Sequence, residues 1–219
     1  MSAQPIMFPS QPALDFPQAL TEKYRPRRLA DFAGLEKPKK IMASLAARPY
    51  SSVWLFIGPS GTGKTTLALA LAQEMKAEIH LIPSQKCTAQ AIEDVRRQCQ
   101  YVPAEGFHFH LVLVDEADQM SSGAQVALLS KLDSTDPAPS TVWIFTANST
   151  DRLEPRFLSR CRVLEFSSYG MSAGIVSLLE RIWRNETDAP APNFTRICKE
   201  ACNNARASLM SLETELLAL

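Results

Sequence analysis

The apolar residues of this chain fall into two patterns. Short, mostly apolar runs at 53–57, 79–82, 109–114, 142–145 and 163–166 have the length and character of strands buried on both faces. Between them, apolar positions recur at helical spacing: the stretch 67–72, then Ala91, Ile92, Val95 and Cys99, then Ala124, Ala127, Leu128, Leu129 and Leu132. A short helix is expected at 155–160. Strands alternating with helices predict an α/β unit with a mostly parallel sheet covered on both faces. Beyond Ser167 the strand signals stop. Ile175, Leu178, Leu179 and Ile182, then Ile197, Leu209, Leu212 and Leu216, read as helices separated by a turn at Pro190 and Pro192. The expected organisation is a loose proline-rich arm over 1–21, an α/β domain over 22–167 and a small helical domain over 168–219. Pro5, Pro9, Pro12 and Pro17 exclude a continuous helix or inner strand in the arm.

Composition narrows this only slightly. The 219 residues suffice for one full core and a small second unit. Formal net charge is zero, so nucleic-acid contacts would have to come from local patches such as 22–40, with seven Lys/Arg against three Asp/Glu. Five cysteines with no C-x-x-C pair argue against a disulfide framework or a zinc site and for a reducing compartment. There is neither a signal core nor a bilayer-length apolar span, so a cytoplasmic protein is expected.

The chemistry begins where the run 53–57 ends. Gly58, Pro59, Ser60, Gly61, Thr62, Gly63, Lys64, Thr65 and Thr66 form a glycine-rich loop between a predicted strand and a predicted helix, the P-loop in its required context. Its glycines let successive backbone N–H groups turn inward as an anion nest, and the helix N-terminus adds partial positive charge. Lys64 is expected on the β- and γ-phosphates and the Thr65 hydroxyl on Mg²⁺. A second strand ends in Asp115 and Glu116, at the carboxyl ends of the strands where α/β sheets present their ligand crevice. Asp115 is expected to hold Mg²⁺ through water, and Glu116 to polarise the attacking water. Asn148, closing the next strand, either orients that water and contacts the γ-phosphate or simply starts a turn.

In order, these elements resemble the AAA+ ATPases, and within them the clamp-loader branch, above all small subunits of replication factor C. The resemblance rests on Glu22, Lys23, Tyr24, Arg25 and Pro26, on Phe32, Ala33 and Gly34, on the P-loop, on Asp115, Glu116, Ala117 and Asp118, on Asn148, and on the triplet Ser159, Arg160 and Cys161. It implies a five-stranded parallel sheet with helices on both faces followed by a helical lid. It also implies ATP and Mg²⁺ as cofactors, and an arginine finger, Arg160, reaching ATP held by a neighbouring subunit. A guanidinium suits that task because hydrolysis builds charge on the γ-phosphoryl oxygens. Tyr24 and Arg25 would lie near the adenine. Arg206 would couple the lid to the γ-phosphate, although Asn203 and Asn204 stand where the family carries glycine and aspartate. The implied partners are other AAA+ subunits, with DNA and a sliding clamp or another DNA-processing protein beyond them.

Two departures qualify the resemblance. The family's collar domain is not among these residues, so ring assembly by that route is not expected. Leu129 and Ser130 stand where paired basic residues are usual. Gln125 matches the family but also fits an ordinary exposed helix position. Arg96, Arg97 and Lys131 remain candidates for DNA-backbone contacts or for solvated helix faces. The rival to a clamp-loader-like ATPase is a nucleotide-gated interaction module, of the kind a mobile element would carry, that recruits a partner without loading a clamp. A small-molecule kinase lacks any acceptor-site motif.

Overall fold

The computed structural model describes residues 18–132 and 140–219. Most of the proline-rich stretch, residues 1–17, therefore lies outside the described residues. Two helices precede the sheet, α1 (Leu20–Lys23) and α2 (Glu36–Ala47). The sheet unit then runs β1 (Ser52–Ile57), α3 (Lys64–Met75), β2 (Ala77–Pro83), α4 (Ala89–Gln98), β3 (Phe109–Asp115), α5 (Ser122–Lys131), β4 (Thr141–Ala147), α6 (Pro155–Leu158) and β5 (Arg162–Glu165). Three helices follow: α7 (Ser172–Glu186), α8 (Phe194–Glu200) and α9 (Ala205–Leu217). All strand pairings are parallel, in the order β2-β3-β4-β1-β5. The expected five-stranded α/β class is what the chain adopts. Among the described residues no helix is long and apolar enough to cross a membrane.

Each face of the sheet feeds a separate core. Phe56, Leu111, Leu113, Val142 and Ile144 pack with α2, α3 and the C-terminal helices, while Leu55, Val112, Val114, Trp143 and Phe145 pack with α4, α5 and α6. The alternation of side chains along each strand makes this division automatic, and burial on both faces is why the runs are almost continuously apolar. The central strand β4 is buried at all seven positions.

Helix α2 was not foreseen, because its first turn looks like part of the basic surface stretch. Pro38 is tolerated so near the N-terminus, where its missing N–H costs no intrahelical bond. Met42 and Leu45 then bury into the core. The C-terminal helices approach the N-terminal segment closely at one point. A Cβ on Gly174 of α7 would lie 2.7 Å from the backbone nitrogen of Gly34, which itself has φ of 65°. Backbone cannot yield as a side-chain tip can. Gly174→Ala is expected to lower stability by about 1–3 kcal/mol, the usual cost of overpacking, as read from urea unfolding. A wild-type midpoint would show that the two backbones separate freely.

Candidate functional site

The strand β1 leaves the sheet between its neighbours β4 and β5. At that exit, Gly58 has φ of 152°, and a Cβ there would lie 2.0 Å from the carbonyl oxygen of Phe166. Only glycine passes, so the first P-loop position is set by the sheet as much as by any ligand. Thr62 Oγ1 donates to the Pro59 carbonyl at 2.8 Å and closes the loop on itself. Gly63, also with positive φ, caps α3, whose first residue is Lys64.

Lys64 is nearly buried, and its ammonium donates to the carbonyls of Gly58 (2.6 Å) and Pro59 (2.9 Å) and to Asn148 Oδ1 (3.1 Å). Burial lowers its pKa; Asp115, Asp118 and Glu116 oppose that shift, and Arg206 adds to it. Asp115, at the end of β3, accepts two hydroxyl hydrogen bonds on one oxygen, from Thr65 (2.6 Å) and from Thr146 (2.5 Å). Thr146 Oγ1 in turn accepts the backbone N–H of Glu116 at 3.0 Å. Glu116 itself sits in the left-handed region with φ of 55°, an unusual conformation for its type and one that gathers at functional sites. Thr146 was missed by sequence reasoning. Its signal, a threonine two residues before Asn148 on the neighbouring strand, becomes visible only once β3 and β4 are known to be adjacent.

These groups line the polar end of a cleft: Lys64, Thr65, Asp115, Glu116, Thr146 and Asn148 surround a space of about 80 Å³, with Arg206 on its rim. The cleft continues into a cavity of about 190 Å³ between the N-terminal segment, the P-loop and the C-terminal helices, where Tyr24, Arg25, Thr66, Met171 and Leu209 contribute walls. Arg206 borders both spaces. The structure thus lines these spaces with the expected cleft residues, Tyr24 and Arg25 at the far end included, apart from Gly58 and Pro59, whose carbonyls accept from Lys64 instead. Tyr24 also donates its hydroxyl to Glu186 of α7, which Lys23 pairs at 2.8 Å. Arg25 is held by Glu22 at 2.5 Å.

Arg160 is the exception. It follows α6, donates to the Arg156 carbonyl at 2.9 Å, and is not among the residues lining either part of the cleft. Gln125 corrects the expectation of an exposed helix glutamine: it is 2% exposed, donates to the Arg152 carbonyl (2.9 Å) and accepts from Glu154 N–H (2.7 Å). It therefore ties α5 to the loop that opens α6. Arg96, Arg97 and Lys131 gather around Glu93, with Lys131 closest at 2.9 Å. The carboxylate offsets part of the charge, and the Lys131 hydrogen bond holds Glu93 below the ordinary carboxylate pKa.

The two asparagines near Arg206 do the work of the residues they replace. Asn203 has φ of 55°, a conformation that asparagine tolerates better than most non-glycine residues. Asn204 caps α9 by accepting from Ala207 N–H at 3.1 Å, as an aspartate would. Its amide also donates to the Ser60 carbonyl at 2.5 Å, which a carboxylate could not do. Gly61 makes room for it: a Cβ at that position would lie 2.4 Å from Asn204 Oδ1.

Comparison with known proteins agrees with this geometry. Residues 54–169 match the model of the ATPase family associated with various cellular activities (AAA). Replication factor C small subunit 1 of Pyrobaculum islandicum is 37% identical over 153 residues, 67% of this chain and 46% of that protein. The replication factor C small subunit of Picrophilus torridus is 30% identical over 173 residues, 76% of this chain and 54% of that protein. The chain thus spans about half the length of these curated relatives. In fold it is similar to the RuvB Holliday junction branch migration motor of Thermotoga maritima, with a TM-score of 0.71 at 21% identity, covering 90% of this chain and 65% of that one. With its glycine-rich loop, its paired carboxylates and a family match running from β1 past β5, the chain belongs to the AAA ATPase family.

Proposed function

We propose that this protein binds and hydrolyses ATP, and that its site is completed by an arginine from a neighbouring subunit. The observation that carries the reading is the convergence of Lys64, Thr65, Asp115, Glu116 and Asn148 at one end of a cleft whose other end is walled by Tyr24, Met171 and Leu209. The Lys64 ammonium is bonded to two carbonyls and an amide oxygen, and charged phosphate oxygens are stronger acceptors than these. The P-loop backbone and the α3 N-terminus favour the same anion. Thr65 and Asp115 offer the hard oxygen donors that suit Mg²⁺, which when bound neutralises phosphate charge. Glu116 takes the proton of the attacking water, and Asn148 orients it. Nucleotide would lie between the α/β unit of 22–167 and the lid of 168–219, with Arg206 sensing its γ-phosphate and Tyr24 and Arg25 beside its base.

Arg160 lies outside the chain's own cleft, which supports a role on a neighbour's ATP. The likeness to replication factor C small subunits supports work in DNA replication or a related DNA transaction, with other AAA+ subunits, DNA and a sliding clamp as the partner classes. The cluster of Arg96, Arg97 and Lys131 would meet DNA backbone, and its contribution would then weaken with salt.

Single substitutions separate binding from turnover. Lys64→Ala is expected to abolish ATP binding in equilibrium titration, while Glu116→Gln binds ATP and loses turnover by about 10²-fold or more. Wild-type binding with no turnover, with or without primed DNA, would overturn the hydrolase reading in favour of a nucleotide-gated interaction module.

The intersubunit claim has its own test. Arg160→Ala is expected to retain binding and lose turnover by about 10³-fold or more. Mixing it with Lys64→Ala should restore part of the activity, because ATP held by one variant then meets the intact Arg160 of the other. Turnover unaffected by Arg160→Ala, or a mixture no more active than its components, would rule out the shared site.

A further inference from the structure

At the end of the sheet away from the cleft, β2 and β3 carry chelating side chains on a face that is otherwise apolar. Glu78 is opposite His110 in the parallel ladder, and His80, two residues further along β2, shares their face. The same face continues in Ile82, Val112 and Val114, all buried. Cys99, at the C-terminal end of α4, closes over it and is fully buried. One ligand atom each from His80, Cys99 and His110 falls within 4.8 Å of the other two.

The hydrogen bonds fix the tautomer of the central histidine. His110 Nε2 is 2.9 Å from the Tyr101 carbonyl oxygen, which can only accept, so Nε2 carries the proton. The lone pair of His110 is therefore on Nδ1, which faces His80 Nε2 at 3.0 Å and Glu78 Oε2 at 3.6 Å. A histidine whose far nitrogen is anchored on a backbone carbonyl, with its near nitrogen aimed at other ligands, has the arrangement typical of metal-binding histidines.

We propose that His80, Cys99 and His110 form a binding site for a zinc-like divalent cation, with Glu78 as the fourth ligand. Two imidazoles, a thiolate and a carboxylate are a donor set that zinc accepts in tetrahedral geometry, whereas Mg²⁺ prefers the all-oxygen donors of Thr65 and Asp115. The charges also balance, because the thiolate and the carboxylate together offset the cation and leave no net charge at a largely buried site. Binding releases the Cys99 thiol proton to solvent and shifts the neutral His80 ring to its other tautomer, the proton leaving Nε2 and Nδ1 taking one up from water. Without the ion, His80 Nε2–H donates to His110 Nδ1, so the site is satisfied either way and the fold does not depend on metal. The ion would clip edge strand β2 and the end of α4 to β3. The lack of a C-x-x-C pair does not exclude this site, because its ligands come from two strands and a helix end.

Cobalt titration of the metal-stripped, tag-free full chain tests this. One equivalent of Co²⁺ is expected to give tetrahedral visible bands with a thiolate-to-cobalt charge-transfer band, and one equivalent of Zn²⁺ to bleach them. Cys99→Ser should remove the charge-transfer band, and Thr65→Ala should leave it intact. His80 is half-buried at the rim, so His80→Asn should fold while losing Zn²⁺ affinity by about tenfold or more. Zn²⁺ should accordingly raise the thermal midpoint of wild type more than that of the variant. No charge-transfer band in wild type, a band that survives Cys99→Ser, or equal Zn²⁺ affinity in wild type and His80→Asn would overturn the proposal. Should Cys99→Ser fail to fold, the His80→Asn comparison decides alone.

Discussion

One carboxylate oxygen joins the three elements on which the cleft is built. Asp115 Oδ1 accepts the hydroxyls of Thr65 at the start of α3 and Thr146 on β4, and Asp115 itself ends β3. Two charge-assisted hydrogen bonds converging on one atom are short and directional, so the positions of strand end, helix start and neighbouring strand are mutually determined. Thr146 then anchors the backbone of Glu116 in its left-handed conformation, which directs the chain from β3 into the short turn beyond it. Both hydroxyls donate to Asp115, so bonds within the protein hold this corner.

Much of this was legible in the chain, and particular residues explain what was not. The strand runs were readable because parallel strands buried on both faces need nearly unbroken apolar sequence, and the P-loop because its chemistry and its backbone demand coincide at Gly58. Helix α2 escaped because its polar first turn dominates a local charge reading, while its buried face rests on few residues such as Met42 and Leu45. Thr146, Gln125 and the His80–Cys99–His110 cluster escaped for a different reason. Each depends on a neighbour distant in sequence: Thr146 on Asp115 and Glu116, Gln125 on the loop before α6, and the histidines on the β2–β3 register. Local patterns carry propensity and periodicity, but pairings across a sheet are decided by topology.

The pair Asn203 and Asn204 shows how such a departure from a family pattern is met by the backbone. Asn203 and Asn204 look like the loss of a glycine and an aspartate, yet each meets the backbone demand at its place, a left-handed residue followed by an N-cap. What changes is the capacity of the second residue to donate. An aspartate there could only accept, whereas the Asn204 amide grips the Ser60 carbonyl while its oxygen caps α9. The exchange therefore keeps the helix start and adds a direct bond from the C-terminal helices to the P-loop.

Among the described residues, that bond is one of three points at which polar side chains of the C-terminal segment hold the walls of the cleft. Glu186 of α7 receives Tyr24 and Lys23, Glu213 of α9 accepts the backbone N–H of Leu20 at 3.0 Å, and Asn204 reaches Ser60. The first two attach to the N-terminal segment and the third to the P-loop, and Arg206 borders both spaces between them. A ligand that moves Ser60 or Tyr24 must therefore act on α9 or α7, and a shift of those helices must act on the ligand, because the coupling is reciprocal. The Gly34–Gly174 contact leaves little room for the helices to slide along the N-terminal segment. Motion of the C-terminal helices is thus better accommodated by breaking the Asn204 bond to the Ser60 carbonyl than by shearing that contact.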